Sequence, residues 1–130
     1  MTAIVWLERQ ALELLHAEAI ADHGGLPGLR DEGLLESALA RPKNLHAYEG
    51  VTDIPSLAAC HGVAIAKNHP FNDGNKRVAF IASLAFALVN GWLVVAEQAE
   101  AAAVMLAVAA GEIDQAELTV WLRDHAQPRS

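Results

Sequence analysis

From Val78 to Val89 only Ser83 interrupts an apolar run. A helix built from that run is apolar on nearly every side, so it belongs in the centre of a core. It is too short to span a bilayer, which takes about 20 apolar residues. The helix is read from Gly74 to Asn90, with Gly91 as its C-terminal cap. A buried helix requires partners around it, and the composition says what they are. Hydrophobic residues make up 53% of the 130 and aromatic residues only 5%, so the core rests on Ala, Leu, Val and Ile. That mixture favours packed helices over a sandwich of β-branched strands. The expectation is an all-α fold: a compact bundle of about six helices around the buried one, with room for one short hairpin. Residues 1–130 are read as a single domain.

Caps and breakers place the other elements. Thr2 caps a first helix of about twenty residues with Val5, Leu12, Leu15 and Ala19 on its apolar face. His23-Gly24-Gly25-Leu26-Pro27-Gly28 ends it. Asp31 opens a second helix that stops at Arg41-Pro42. Residues 43–53 have no helical period and read as a loop or short hairpin, which would align an extended target segment by strand addition. Asp53 and Pro55 start a third helix, Ile54 to about Asn68. A brief extended segment over Trp92 to Val95 and helices over Glu97 to Ala110 and Asp114 to His125 complete the chain.

The formal charge of −7 argues against a nucleic-acid or anionic-membrane surface, so neither partner is expected. A lone cysteine, Cys60, excludes a disulfide framework and fits a reducing cytosol. Glu8 and Arg9 interrupt the first apolar segment, so no signal peptide is read and the expected location is the cytoplasm. His61 and His69 stand eight apart, and neither H-E-x-x-H nor C-x-x-C occurs, so no structural metal site is read. Cys60 reads as a core residue, the tryptophans Trp6, Trp92 and Trp121 as core or rim anchors, and Glu97, Glu100, Glu112, Asp114 and Glu117 as a solvated face.

The stretch His69 to Arg77, "HPFNDGNKR", is of another kind. Within nine residues it holds a base (His69), a carboxylate (Asp73), a flexible backbone position (Gly74), an amide (Asn75) and two cations (Lys76, Arg77). As a plain helix start it would use Asn72 or Asp73 as N-cap. That leaves Lys76 and Arg77 at the positive end of a helix dipole, where each costs about 0.3–1 kcal/mol, with Lys67 adding a third cation in an acidic chain. An anion bound at the helix start removes the conflict, because free N–H groups and both cations then share one partner. The spacing is not that of a Walker A loop. A nucleotide fits the chemistry: its phosphates on the helix start, Asp73 holding Mg²⁺ through one carboxylate, and His69 taking a proton from an attacking hydroxyl. These are the parts of phosphoryl or nucleotidyl transfer.

The same residues carry a family resemblance. "HPFNDGNKR" resembles the Fic motif, H-P-F-x-[D/E]-G-N-G-R-x-x-R, and most closely its Doc-toxin form, H-x-F-x-D-[G/A]-N-K-R. "GGLPGLRDEGLLESALARP", "AYEGVTDIP" and "NGW" extend the similarity over roughly residues 1 to 125. The resemblance implies an all-α Fic fold, with His69 as general base, Asp73 as the Mg²⁺ carboxylate, and Asn75, Lys76 and Arg77 as the phosphate-binding set. Phe71 would pin the loop to the core.

Two departures from the Fic form bear on the reaction. Lys76 replaces a glycine that lets phosphates approach the backbone, and Phe80 replaces a second arginine. Doc toxins share both, and they transfer the ATP γ-phosphoryl to a threonine of elongation factor Tu, arresting translation. The resemblance thus implies a Doc-like serine/threonine kinase, with an AMP- or nucleotidyl-transferase and a catalytically silent binding module as the alternatives. No inhibitory [S/T]-x-x-x-E-[G/N] match exists, since Gly28 and Leu45 stand where Ser or Thr is needed before Glu32-Gly33 and Glu49-Gly50. Inhibition is therefore expected from another chain, a Phd-like antitoxin.

Overall fold

The computed structural model describes residues 3–129. Among the described residues run α1 (Arg9–His23), α2 (Glu32–Glu49), α3 (Ile54–Asn68), α4 (Asn75–Val89), α5 (Gln98–Ala109) and α6 (Gln115–His125). Two three-residue strands, β1 (Trp92–Val94) and β2 (Ala126–Pro128), pair antiparallel with Leu93 opposite Gln127. The fold is all-α, with that one short pairing as its only sheet among the described residues.

Two helices share the centre. α4 buries Val78, Ala79, Ala82, Ser83, Phe86 and Ala87, and α3 is covered more completely, with every residue from Leu57 to Ala66 buried. Small side chains make this possible: an added Cβ at Gly62 would lie 2.5 Å from Ser83 Oγ, so the two helices meet almost backbone to side chain. The one polar interruption of the apolar run is explained at the same contact. Ser83 Oγ–H donates to the Ala58 carbonyl at 2.8 Å, which satisfies the hydroxyl inside the core. No helix among the described residues is long and apolar enough to cross a membrane.

Three local expectations are corrected. α1 starts at Arg9 behind Glu8, and Thr2, expected as its cap, lies outside the described residues. Residues 3–6 alternate in exposure, with Trp6 packed against the core and Val5 49% exposed, a period of two that suits an extended segment. Asn90 supports it: its side chain accepts the Val5 N–H at 2.8 Å and donates to the Val5 carbonyl at 2.9 Å.

α2 does not stop at Pro42; it runs through it to Glu49. A proline inside a helix removes one hydrogen bond and crowds the carbonyl four residues back. Here the ring is buried on the same face as Ala38 and Leu39, so core packing offsets that cost. The real terminator is Gly50, left-handed at φ 68°, whose N–H closes on the His46 carbonyl. Residues 44–53 are therefore helix followed by a four-residue link, neither the loop nor the short hairpin between which the sequence left the choice open. α3 then begins as expected, with the Asp53 carboxylate accepting the Ser56 N–H at 3.1 Å. Arg9 ties α1 to the start of α2 through Glu32 at 2.8 Å and Glu36 at 2.6 Å.

Candidate functional site

The link between α3 and α4 is the HPFNDGNKR loop. α3 ends on His69, whose φ of 56° and ψ of 52° make it the one non-glycine residue with positive φ among the described residues. The left-handed region costs a residue with a Cβ roughly 1–2 kcal/mol, so something must hold it there. Arg30 does: its Nε donates to the His69 carbonyl at 2.7 Å and its Nη2 to the Asn68 carbonyl at 2.9 Å. The backbone before α2 lies alongside, as Arg30 N–H donates to the Pro70 carbonyl at 2.7 Å and Asn72 N–H to the Gly28 carbonyl at 3.0 Å. Leu29 and Phe71 form an isolated antiparallel bridge between the two segments.

Phe71 is 1% exposed and stacks on the His16 ring at 3.8 Å with planes 8° apart. It is the apolar pin the motif implied. His16 is buried too, and its Nε2–H donates to the Asp73 carbonyl at 2.8 Å, clamping the loop from α1.

Asn75 is 3% exposed and its side chain faces inward. Its Oδ1 accepts the Phe71 N–H at 3.0 Å, and its Nδ2 donates to the Phe71 carbonyl at 3.0 Å. The second amide hydrogen faces His69 Nδ1 at 3.2 Å. The amide is thus committed to bracing the loop, and what Asn75 offers an outside anion is its backbone N–H. With the amide in this orientation His69 Nδ1 is an acceptor, and the neutral ring carries its proton on Nε2. Proton abstraction by Nε2 would require the other tautomer, which a turn of the ring away from the Asn75 amide would allow.

Asp73 is exposed, and its Oδ2 accepts the Leu26 N–H at 2.7 Å. It is not the N-cap of α4, nor is Asn72, whose Nδ2 donates instead to the Pro27 carbonyl at 3.0 Å. The cap position belongs to Gly74, left-handed at φ 75°, and no side chain caps the helix. Glycine is needed there on space as well as on φ, because an added Cβ would lie 3.2 Å from Ile20 Cδ1. An exposed carboxylate with one oxygen tied back and no hydrogen bond to the other among the described residues suits Mg²⁺, which is commonly bound by one carboxylate plus phosphates. No cluster of three or more His, Cys, Asp or Glu that would hold a metal by itself occurs among the described residues.

Lys76 and Arg77 are exposed in the first turn of α4, which contains no acidic residue. Among the described residues neither enters an ion pair or a side-chain hydrogen bond. One turn further on, Phe80 is half-buried, with its ring edge-on to Trp121 at 6.0 Å. Lys67 sits in the last turn of α3, where a cation suits the dipole, and its Nζ reaches the Gly111 turn. The loop contributes no residue to two surface clefts, of about 350 and 940 Å³, that lie elsewhere among the described residues. The predicted residues are gathered at an open, solvated helix start.

Other chemistry-bearing groups are structural. Cys60 is buried, and burial, more than the opposing pull of Arg41, pushes its thiol up to about 11, so it stays protonated. His61 is buried without a hydrogen-bond partner, and desolvation, helped by Lys43, lowers its pKa to about 4. Glu100 is more than a solvated charge, since it accepts from Trp121 Nε1 at 2.9 Å and pairs with His125.

The residues that support the loop, His16, Leu26 and Arg30, were not singled out from sequence. Each acts on a partner 39 to 57 positions away, and no local pattern announces such a contact.

Comparison with known proteins identifies the family. The Fic/DOC family model matches residues 6–87. The chain is 38% identical over 114 residues, 88% of its length and 90% of the relative's, to the protein named Protein kinase doc of Escherichia phage P1. It is 40% identical over 89 residues, 66% of its length and 65% of the relative's, to Toxin Doc of Mycolicibacterium smegmatis. A family match over more than half of the chain, the motif loop included, and a relative aligned over most of both lengths lead to one placement: this chain belongs to the Fic/DOC family.

Proposed function

We propose that this protein is a Doc-type toxin acting as an ATP-dependent protein kinase on a serine or threonine hydroxyl of a translation factor, elongation factor Tu being the target that the family resemblance implies. The observation that carries the reading is the start of α4: an uncapped first turn with Lys76 and Arg77 exposed and unpaired. Backbone N–H groups and two cations share that first turn, where a polyphosphate would satisfy them together.

His69 would accept the proton of the target hydroxyl as its oxygen bonds to the γ-phosphorus and the bond from that phosphorus to the ADP oxygen breaks. Lys76 and Arg77 would carry the charge that develops on the phosphoryl and leaving oxygens. Asp73, through its free Oδ1, would hold Mg²⁺, which supplies charge neutralisation across the phosphates. Asn75, Phe71 and His16 keep the loop in one shape, so little ordering is left to the encounter.

Phe80 supports the kinase over AMP transfer. At the position of the second Fic arginine its ring packs against Trp121, so no cation stands there to hold the far end of a triphosphate. The name of the phage relative points the same way. With no internal inhibitory motif, restraint would come from a Phd-like antitoxin whose disordered tail folds onto this chain in the cytoplasm. Incubation with elongation factor Tu and ATP labelled at the α or the γ phosphate tests the reading. γ-Label on the target is the expected result; α-label would replace the kinase with a nucleotidyl-transferase, and no label would leave a silent binding module.

A further inference from the structure

We propose that Arg30 is a positioning residue for His69: by holding the carbonyls of Asn68 and His69, it fixes the left-handed backbone that aims the imidazole at the site. The inference rests on the reading of His69 as the base. Arg30 stands in the link between α1 and α2, distant in sequence from the motif, and its side chain is spent on the loop backbone.

The geometry is specific. The guanidinium donates from Nε to the His69 carbonyl at 2.7 Å and from Nη2 to the Asn68 carbonyl at 2.9 Å. Its own N–H holds the next carbonyl, Pro70, at 2.7 Å. Three successive carbonyls at the end of α3 are therefore held by one residue. Two are orphaned acceptors of a helix C-terminus, where a cation is also favoured by the dipole. His69 is the residue among these whose backbone is unfavourable, at φ 56°. Without the fork, nothing else bonds the His69 carbonyl among the described residues, and the backbone is free to relax toward negative φ. A change of φ and ψ at this residue shifts the Cβ from which the ring, 3.2 Å from the Asn75 amide at rest, is hung, and with it the reach of the imidazole to the reacting hydroxyl. Lysine cannot reproduce the arrangement, because it lacks the planar two-donor fork.

The test uses the full-length protein and compares wild type, Arg30→Ala, Arg30→Lys, His69→Ala and the Arg30→Ala/His69→Ala pair. Circular dichroism confirms folding. Expected for Arg30→Ala is a fall in kcat of about 10–100-fold with KM for ATP within about twofold, as for a catalytic group displaced by about an ångström. Arg30→Lys should fall between Arg30→Ala and wild type. In the His69→Ala background, Arg30→Ala should cause no further loss. Nitrogen NMR of the imidazole gives a readout independent of activity: in wild type His69 is held in the Nε2–H form, and in Arg30→Ala that preference is lost. Wild-type transfer in Arg30→Ala with loss in His69→Ala would overturn the role of Arg30 and leave the base intact. Wild-type transfer in His69→Ala would overturn the base itself. An equal further loss in the double variant, or an unchanged imidazole spectrum, would place Arg30 elsewhere in the mechanism and overturn the proposal. If Arg30→Ala does not fold, Arg30→Lys decides on the same measurements.

Discussion

At the start of α6, Asp114 accepts the Glu117 N–H at 2.8 Å while the Glu117 carboxylate accepts the Asp114 N–H at 3.2 Å, and Arg123 and His125 occupy the last turn. At the start of α4, Gly74 offers no side chain, no acid stands in the first turn, and Lys76 and Arg77 do. The first helix has a capping box and a matched dipole at both ends. The second has neither at its start, although the two lie in one domain of the same acidic chain. The chain is able to finish a helix start well; α1 and α5 also begin without a side-chain cap, and what sets α4 apart among the described residues is the pair of cations in its first turn with no ion-pair partner. Its neighbours reinforce the point. Asp73 and Asn72, both good caps, are turned away to bond Leu26 and Pro27. Local stability is forgone where a ligand is expected to supply it.

The largest expected separation between the two starts is in catalysis. His69→Ala should lower target modification by about 10²–10⁴, whereas Asp114→Ala should leave the rate of the folded protein unchanged; labelled-phosphate transfer measures both. Equal losses would erase the distinction drawn here.

Acid probes the core that both helices share. His61, buried and unpartnered, has its pKa lowered to about 4 from an ordinary 6.5. Between those values the unfolded chain takes up a proton that the folded one refuses, so stability falls as pH drops from about 6.5 towards 4. The loss amounts to about 3 kcal/mol across the window. Urea unfolding at pH 7 and pH 5 should show the slope, and His61→Leu should flatten it. Comparisons of the helix starts are best made above pH 7, outside that window.

The α6 cap gives a smaller effect. Asp114→Ala should cost about 1 kcal/mol of stability, read from thermal melts, with no change on adding Mg-ATP.

Much of this organisation was legible in the chain. Asp53-Ile54-Pro55 announces α3 because the cap chemistry is local, and the run from Val78 announces α4 because its burial is written in composition. Pro42 misled because its local preference for ending a helix is outweighed by burial beside Ala38 and Leu39, a tertiary fact. At the site, the conflict between helix dipole and Lys76-Arg77 was visible in nine residues. The inward turn of Asn75 and the grip of Arg30 on His69 were not, since both depend on which segments the fold brings alongside the loop.

The central claim, that the α4 start is kept open and cationic for a polyphosphate, is tested most directly at Lys76. Lys76→Glu places a favourable charge in the first turn, and Lys76 has no ion-pair partner to lose among the described residues. Thermal melts with and without Mg-ATP should show the apo variant equally stable or up to about 1 kcal/mol more stable than wild type. The stabilisation by Mg-ATP seen in wild type should disappear, because a carboxylate now faces the phosphates. An apo variant clearly less stable than wild type, or one still stabilised by Mg-ATP, would contradict the account.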